Sequence, residues 1–329
     1  MTYAAAKTLS ESAIPVIDIG GLQPGSGAAY RDTASAFLNA ARSIGFFYVT
    51  NHGIQRELIT QTFELARQFF ALPQGEKERV LISERHRGFL SVGQAKMQGS
   101  TTVDLKESFI WGREFSPSVL SELATNPMIG RNQWPQSPPG MSSILNEYFE
   151  ACVELGKKLL RVFAVALEIE PEYFTNAFEH TLTRGSILYY PPQPPELGEK
   201  QFGVAPHTDY GCLTLLYQDS TGGLQVLAKN GSWVAAVPIA DTYVVNVGDL
   251  LARWTNNRFR STPHRVVNTN GRARYSVAVF VDPDFDTPIA PVVRAGETPK
   301  FPVTNCGEYI LSRFDKSFVY RAPTLESAQ

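Results

Sequence analysis

His207 and Asp209 lie one residue apart in VAPHTDYGCLTLL, a run of strand-forming residues from Val204 to Leu216. In a strand, residues i and i+2 point to the same face. The pair is therefore expected to project together, beside Gly211 and Leu213, with Thr208 and Tyr210 facing the other way. A carboxylate on an apolar-lined face is costly to bury unless it is paired or bound to a metal. A second histidine, His264, follows 55 residues on, inside the strand-like STPHRVV. Two histidines and one carboxylate match the ligand set of a facial non-haem iron(II) site, which keeps positions open for substrates and dioxygen. Zinc could use the same three side chains, and H-x-D alone also fits a hydrogen-bonded polar interruption in a strand. The ligands by themselves do not name the metal.

Ten residues after His264 comes RARYSVAVF, where Arg274 and Ser276 share a strand face. An arginine directed into a protein interior needs an anion, because its guanidinium is always charged and its donors match a carboxylate. A serine hydroxyl beside it would complete the grip. Placed on an edge strand, the same arginine would be an ordinary surface residue. Phe280 falls on the face of Arg274 and Ser276, so it could line a pocket or simply pack in the core. The other histidines carry structural expectations. His52, in TNHGI, is expected to make turn hydrogen bonds, and His86 and His180 lie in polar stretches that suggest exposure. DLKESF, from Asp104 to Phe109, could contribute to a substrate lid or be a solvated loop. There is no phosphate-cradling glycine loop and no nucleophile motif.

The elements that must position these residues change in texture along the chain. In the first half, IPVIDI reads as a strand and AAYRDTASAFLNAARSIG as a helix stopping at Gly45. FFYVTNHGI reads as a strand ending in a turn, and RELITQTFELARQFFAL as a helix closed by Pro73. RHRGFLSVGQAKMQGSTTVDLKESFIWG suggests short strands around a mobile loop. From Ser142 to Leu167 one apolar stripe (Leu145, Phe149, Cys152, Leu155, Leu159, Val162, Ala166) predicts a packed helix, with Cys152 structural. After about Arg184, short β-branched and aromatic runs alternate with turns: SILYYP, LTLLYQ, GGLQVLAKNGSWVAA, TYVVNVGDLLARW, STPHRVV and ARYSVAVFV. Asn-Gly between two of these runs signals a hairpin. Strands at this spacing predict a sandwich, barrel or jelly roll.

Composition narrows the partners. The 329 residues suffice for a sizeable core, and 43% hydrophobic with 19% charged residues suits a folded rather than a disordered chain. A formal charge of −2 without any basic block argues against nucleic acid and anionic membranes as partners. Three widely spaced cysteines give no disulfide framework, and the N-terminus lacks a signal peptide's pattern. No apolar run is long enough to span a bilayer. A cytoplasmic protein, monomeric or a weak homo-oligomer, acting on a small molecule is the expectation.

PHTDYGCLTLLYQD, GGLQV, VVNVGDLLARWTNNRFRSTPHRVV and RARYSVAVF together resemble the iron(II)- and 2-oxoglutarate-dependent oxygenases of the isopenicillin N synthase-like family. IPVIDI and GFFYVTNHGI look like that family's leading segment, so the resemblance covers nearly the whole chain. It implies a mainly β fold with flanking helices: a double-stranded β-helix (jelly roll) over residues 180–286 and an α/β N-terminal region over 14–130. The helix over 142–167 and a C-terminal extension would pack on the same unit. The resemblance assigns His207, Asp209 and His264 to iron(II), and Arg274, Ser276 and Tyr190 to the distal carboxylate of 2-oxoglutarate. Several plant members carry an asparagine two residues before that tyrosine; here Leu188 stands there, replacing a polar contact with an apolar wall. The implied reaction uses dioxygen to oxidise a C–H bond of a small organic molecule and releases succinate and carbon dioxide. Two alternatives share these residues: an oxidase like isopenicillin N synthase that needs no 2-oxoglutarate, and a non-catalytic jelly-roll binder.

Overall fold

The computed structural model describes residues 14–22, 27–96, 103–193, 202–268 and 271–321. In chain order the strands of the first half are β1 (Val16–Asp18), β2 (Phe46–Thr50), β3 (Gly88–Leu90) and β4 (Glu107–Gly112). The helices among them are α1 (Gly27–Ser43), α2 (Arg56–Phe70), α3 (Gln74–Glu78), α4 (Pro117–Glu122) and the long α5 (Met141–Ala166). Then come β5 (Arg184–Tyr190), β6 (Val204–His207), β7 (Leu213–Gln218), β8 (Leu224–Leu227), β9 (Trp233–Ala235) and β10 (Tyr243–Val247). After α6 (Asp249–Trp254) follow β11 (His264–Val266), β12 (Arg274–Val281), β13 (Pro288–Ile289), β14 (Thr304–Asn305) and α7 (Cys306–Ser317).

Eight strands form one sheet in the order β1-β2-β10-β7-β12-β5-β4-β3, and four form a second in the order β6-β11-β8-β9. Together they make the double-stranded β-helix, with the N-terminal strands extending both ends of the larger sheet. Alternation along β12 shows how this sheet serves two cores. Val277, Val279 and Val281 are buried with Leu155, Leu159 and Phe163 of α5 on the helix-covered face. Ala278 instead joins Phe46, Leu188, Tyr190, Val226 and Val266 between the sheets. The apolar stripe on α5 is buried from Leu145 through Val162, with Ala166 half-buried at the end, and all three cysteines are free and buried. Gly45 terminates α1 in a left-handed conformation, φ 72°, its N–H bonding Ala40 O at 2.9 Å.

The Asn-Gly segment does join a hairpin: Leu227 pairs with Trp233, and Gly231 has φ 80°. Two expectations need correction. TYVVNVGDLLARW is a strand only to Val247, because the 3-to-4 spacing of Leu250, Leu251 and Trp254 buries a helical face in α6. DLKESF is neither lid nor solvated loop. Asp104 is buried and Glu107–Gly112 is an interior strand between β3 and β5. The loop expected nearby falls on residues 97–102, outside the described residues. No helix among the described residues is long and apolar enough to cross a membrane.

Candidate active site

The two histidines of the candidate triad are directly opposed partners on neighbouring strands, His207 at the end of β6 and His264 at the start of β11. Their ring centroids are 4.3 Å apart. Asp209 is not on a strand: β6 stops at His207, and Asp209 sits in the turn that leads to β7. The expected strand face shared by His207, Asp209, Gly211 and Leu213 is therefore absent. Leu213 packs on the helix side of the large sheet, and a side chain at Gly211 would collide with the Asp282 carboxylate. What brings Asp209 to the histidines is the pinned turn. The amides of Asp249 and Leu250, opening α6, donate to Asp209 O at 2.7 Å and Gly211 O at 3.0 Å, and Cys212 N donates to Asp282 Oδ1 at 2.8 Å. The turn carbonyls thereby satisfy amides that a helix start leaves without internal partners.

Hydrogen bonds aim each ligand atom. His207 Nδ1 lies 2.8 Å from Ala205 O, and His264 Nδ1 lies 3.1 Å from Thr262 O. Each carbonyl requires the proton on Nδ1, which leaves Nε2 as a lone-pair donor. Asp209 Oδ2 accepts from Thr214 Oγ1 at 2.5 Å and Asn246 Nδ2 at 2.8 Å. Its Oδ1 faces both imidazoles, 3.6 Å from each Nε2. The three donor atoms lie within 4.8 Å of one another, a donor set and spacing that fit a divalent metal with an open side. Burial works to raise the Asp209 carboxyl pKa, but the His264 charge, the His207 contacts and Asn246 hold it well below the usual range. Burial, with His207 adding to it, lowers His264 to about 4. The site thus keeps one carboxylate ionised and His264 neutral at pH 7, as metal binding requires.

The inner face of the large sheet supplies the rest in rows. Phe280 pairs with Arg184 and Thr214, Ala278 with Ser186 and Leu216, Ser276 with Leu188 and Gln218, and Arg274 with Tyr190. β12 is central in the sheet, so Arg274 is no edge residue; it is fully buried. Its Nε donates to Gly222 O at 2.6 Å, Nη1 to Ser276 Oγ at 3.0 Å and Nη2 to Gln218 Oε1 at 3.4 Å, and its guanidinium lies 4.6 Å from the Tyr190 ring centroid. None of these partners is a carboxylate. A buried guanidinium with no carboxylate partner among the described residues fits an incoming anion.

Two adjoining cavities meet at the triad. One, about 80 Å3, is bounded by His264, Asn246, Thr214, Tyr190 and Arg274. The other, about 100 Å3, reaches outward past Arg184, Tyr210, Phe314 and Phe318. Leu188, Phe280, Lys106, His207 and Asp209 border both. A wider cavity of about 550 Å3 beside α6 and α7 is lined, among the described residues, by five arginines with Asp249 as the one acidic group, and offers no metal-ligand set there.

His52 accepts from Ile54 N at 3.1 Å, the turn bond expected of it. His86 is not exposed. It is 4% accessible, packed 4.2 Å from the Phe314 ring centroid, and bonded through Nδ1 to Tyr320 OH. His180 is half-buried beside Phe115. Sequence reasoning missed Thr214 and Asn246, although a polar residue breaking CLTLL and YVVNV was a usable signal. It also missed Arg184, which pairs with the buried Asp282 at 3.2 Å and alternates with Ser186, Leu188 and Tyr190 on one face of β5. Lys106 had no such signal.

Residues 14–137 match the family described as non-haem dioxygenase in morphine synthesis N-terminal, and residues 184–283 match the 2OG-Fe(II) oxygenase superfamily. A 2-oxoglutarate-Fe(II) type oxidoreductase of Emericella nidulans is 34% identical over 94% of this chain and 92% of its own length. A homoarginine-6-hydroxylase of Oryza sativa subsp. japonica is 34% identical over 85% of this chain and 88% of its own. Among solved structures, a full-length Neurospora crassa protein in complex with 2-oxoglutarate (alpha-KG) and thymine superposes with a TM-score of 0.82 at 33% identity, covering 93% of this chain and 98% of that one.

Proposed function

Because the chain belongs to the 2-oxoglutarate–Fe(II) oxygenase superfamily and is a non-haem iron(II)- and 2-oxoglutarate-dependent oxygenase, we propose which of its residues carry that activity. His207, Asp209 and His264 hold the iron. Arg274, with Ser276 and Tyr190 beside it, holds the distal carboxylate of 2-oxoglutarate. The observation that carries this assignment is the pairing of a metal-ligand set with a buried guanidinium on one inner wall. Three ligand atoms converge there, and the buried Arg274 guanidinium is bonded, among the described residues, only to neutral groups.

Iron with 2-oxoglutarate and dioxygen supplies the oxidising power for a C–H bond, with release of succinate and carbon dioxide. The chain's own residues supply position. Arg274 fixes one end of the cosubstrate and the triad fixes the place of the other, so its orientation is set before the reaction begins. Thr214 and Asn246 hold one oxygen of Asp209, leaving the other for the metal. Leu188 and Phe280 wall the junction between the cavities, and the outer cavity receives the substrate. That substrate is a small organic molecule. The rice relative's name specifies homoarginine and the Neurospora crassa structure holds thymine, and both are compact enough for a pocket of this kind.

The test is succinate production from 2-oxoglutarate under air with added iron(II), in wild-type protein and in Arg274→Ala. Wild type should turn over, if only slowly without its substrate. Losing charge-assisted hydrogen bonds of roughly 1.5–3 kcal/mol should weaken 2-oxoglutarate binding roughly tenfold to a hundredfold in the variant. Undiminished turnover in the variant at limiting 2-oxoglutarate would remove Arg274 from the anchor role. Iron-loaded wild type that makes no succinate would favour an oxidase that works without 2-oxoglutarate.

A further inference from the structure

Lys106 precedes Glu107, the strand partner of Tyr189, and so falls beside Tyr190 on the inner wall. Its side chain is 13% exposed, and it borders both cavities at the triad. Among the described residues its one polar partner is Asp104 Oδ2, at 3.2 Å. Asp104 is itself engaged, since its Oδ1 accepts Ala205 N at 3.1 Å, and its side chain is fully buried. An ammonium carries three donors, and leaving two without acceptors in a mostly apolar enclosure is costly. Burial pulls the Lys106 pKa down, but Asp104, with Tyr190 and Asp209, more than offsets it, so the group stays charged. Arg184, which lines the outer cavity with Lys106, differs: Asp282 and Leu182 O occupy its guanidinium.

We propose that Lys106 is a carboxylate anchor at the junction of the two cavities, a positioning residue for an anionic group bound next to the metal. The inference rests on the iron and 2-oxoglutarate assignment above. Two sources offer such a carboxylate: the metal-proximal end of 2-oxoglutarate, whose distal end Arg274 takes, or an acidic substrate in the outer cavity. The apolar walls there, Phe280, Phe314 and Leu90, suit a flat or aliphatic body carrying that charge.

The experiment is an anaerobic titration of the iron(II) protein, followed by the visible charge-transfer band that 2-oxoglutarate gives when it chelates iron(II). It compares wild type, Lys106→Met, Lys106→Arg and the double variant Asp104→Asn/Lys106→Met, which leaves no stranded carboxylate and so guards against misfolding. In the first arm 2-oxoglutarate is the titrant. In the second, benzoate or benzamide is added to protein saturated with 2-oxoglutarate, and the shift of the band is read. A loss of roughly tenfold or more in 2-oxoglutarate affinity without Lys106 assigns the anchor to the cosubstrate. Unchanged 2-oxoglutarate affinity, with benzoate favoured over benzamide only where a cation stands at position 106, assigns it to the substrate. Constants within twofold of wild type in both arms, for Lys106→Met and the double variant alike, overturn the proposal while the iron and 2-oxoglutarate assignment stands. A wild-type protein that gives no band at all overturns that assignment and this inference together.

Discussion

The inner end of the site and its mouth are built on different terms. At the inner end, each histidine Nδ1 and the outward oxygen of Asp209 has a partner at 3.1 Å or less, supplied by strands or by the segment leading into β11. At the mouth, the walls are rings. Phe314, Phe318 and Tyr320, from α7 and the turn after it, stack around His86. Directional bonds fix atoms to within a few tenths of an ångström, whereas ring packing fixes volume and shape. The inner end is suited to a constant reaction and the mouth to choosing what undergoes it.

The sharpest way to break this division is at Asp209. Asp209→Ala should abolish iron binding and succinate formation, measured by iron content after anaerobic reconstitution and by product assay. Thr214→Val and Asn246→Leu, which free the held oxygen, should each weaken iron roughly tenfold to a hundredfold. If these two variants bind iron as wild type does, the inner end is less exacting than its hydrogen bonds imply. Phe314→Ala should do the reverse. Opening the mouth should lower thermal stability, by an amount approaching the roughly 3–5 kcal/mol typical of buried phenylalanines, and change which substrates stimulate turnover. Iron affinity should stay within about twofold of wild type. A matching loss of iron would show that the two ends are mechanically one.

A smaller effect comes from pH. Burial, together with Arg184, Arg87 and Arg321, holds the His86 pKa well below its usual 6.5. The unfolded chain therefore binds a proton that the folded chain refuses, and stability is lost as pH falls below about 6.5. His86→Gln should flatten part of the decline in melting temperature between pH 6.5 and 5. An unchanged slope would place the acid sensitivity elsewhere, with His264 the next candidate.

How much could be read in advance follows the same division. His207, His264, Arg274 and Ser276 were visible because their meaning lies in local spacing and strand alternation. Asp209 was visible as a residue but not in its setting, because the hydrogen bonds that pin its turn come from α6 and from Asp282 just past β12, 40 and 73 residues further along. Lys106 and Arg184 face the site only because β5 pairs with β12 and β4 with β5, and strand order is not written in any single strand's pattern. His86 looked exposed because the rings that bury it arrive more than 220 residues later.

That last separation has a consequence for the order in which the protein is made. Every strand of the two barrel sheets precedes α7 in the chain. A growing polypeptide can therefore complete its metal-ligand set while the segment carrying Phe314 and Phe318 has yet to leave the ribosome. In that interval a half-finished enzyme would have the means to consume oxygen while the outer wall of its pocket was still incomplete. Delaying iron until synthesis ends would spare the nascent chain from its own chemistry.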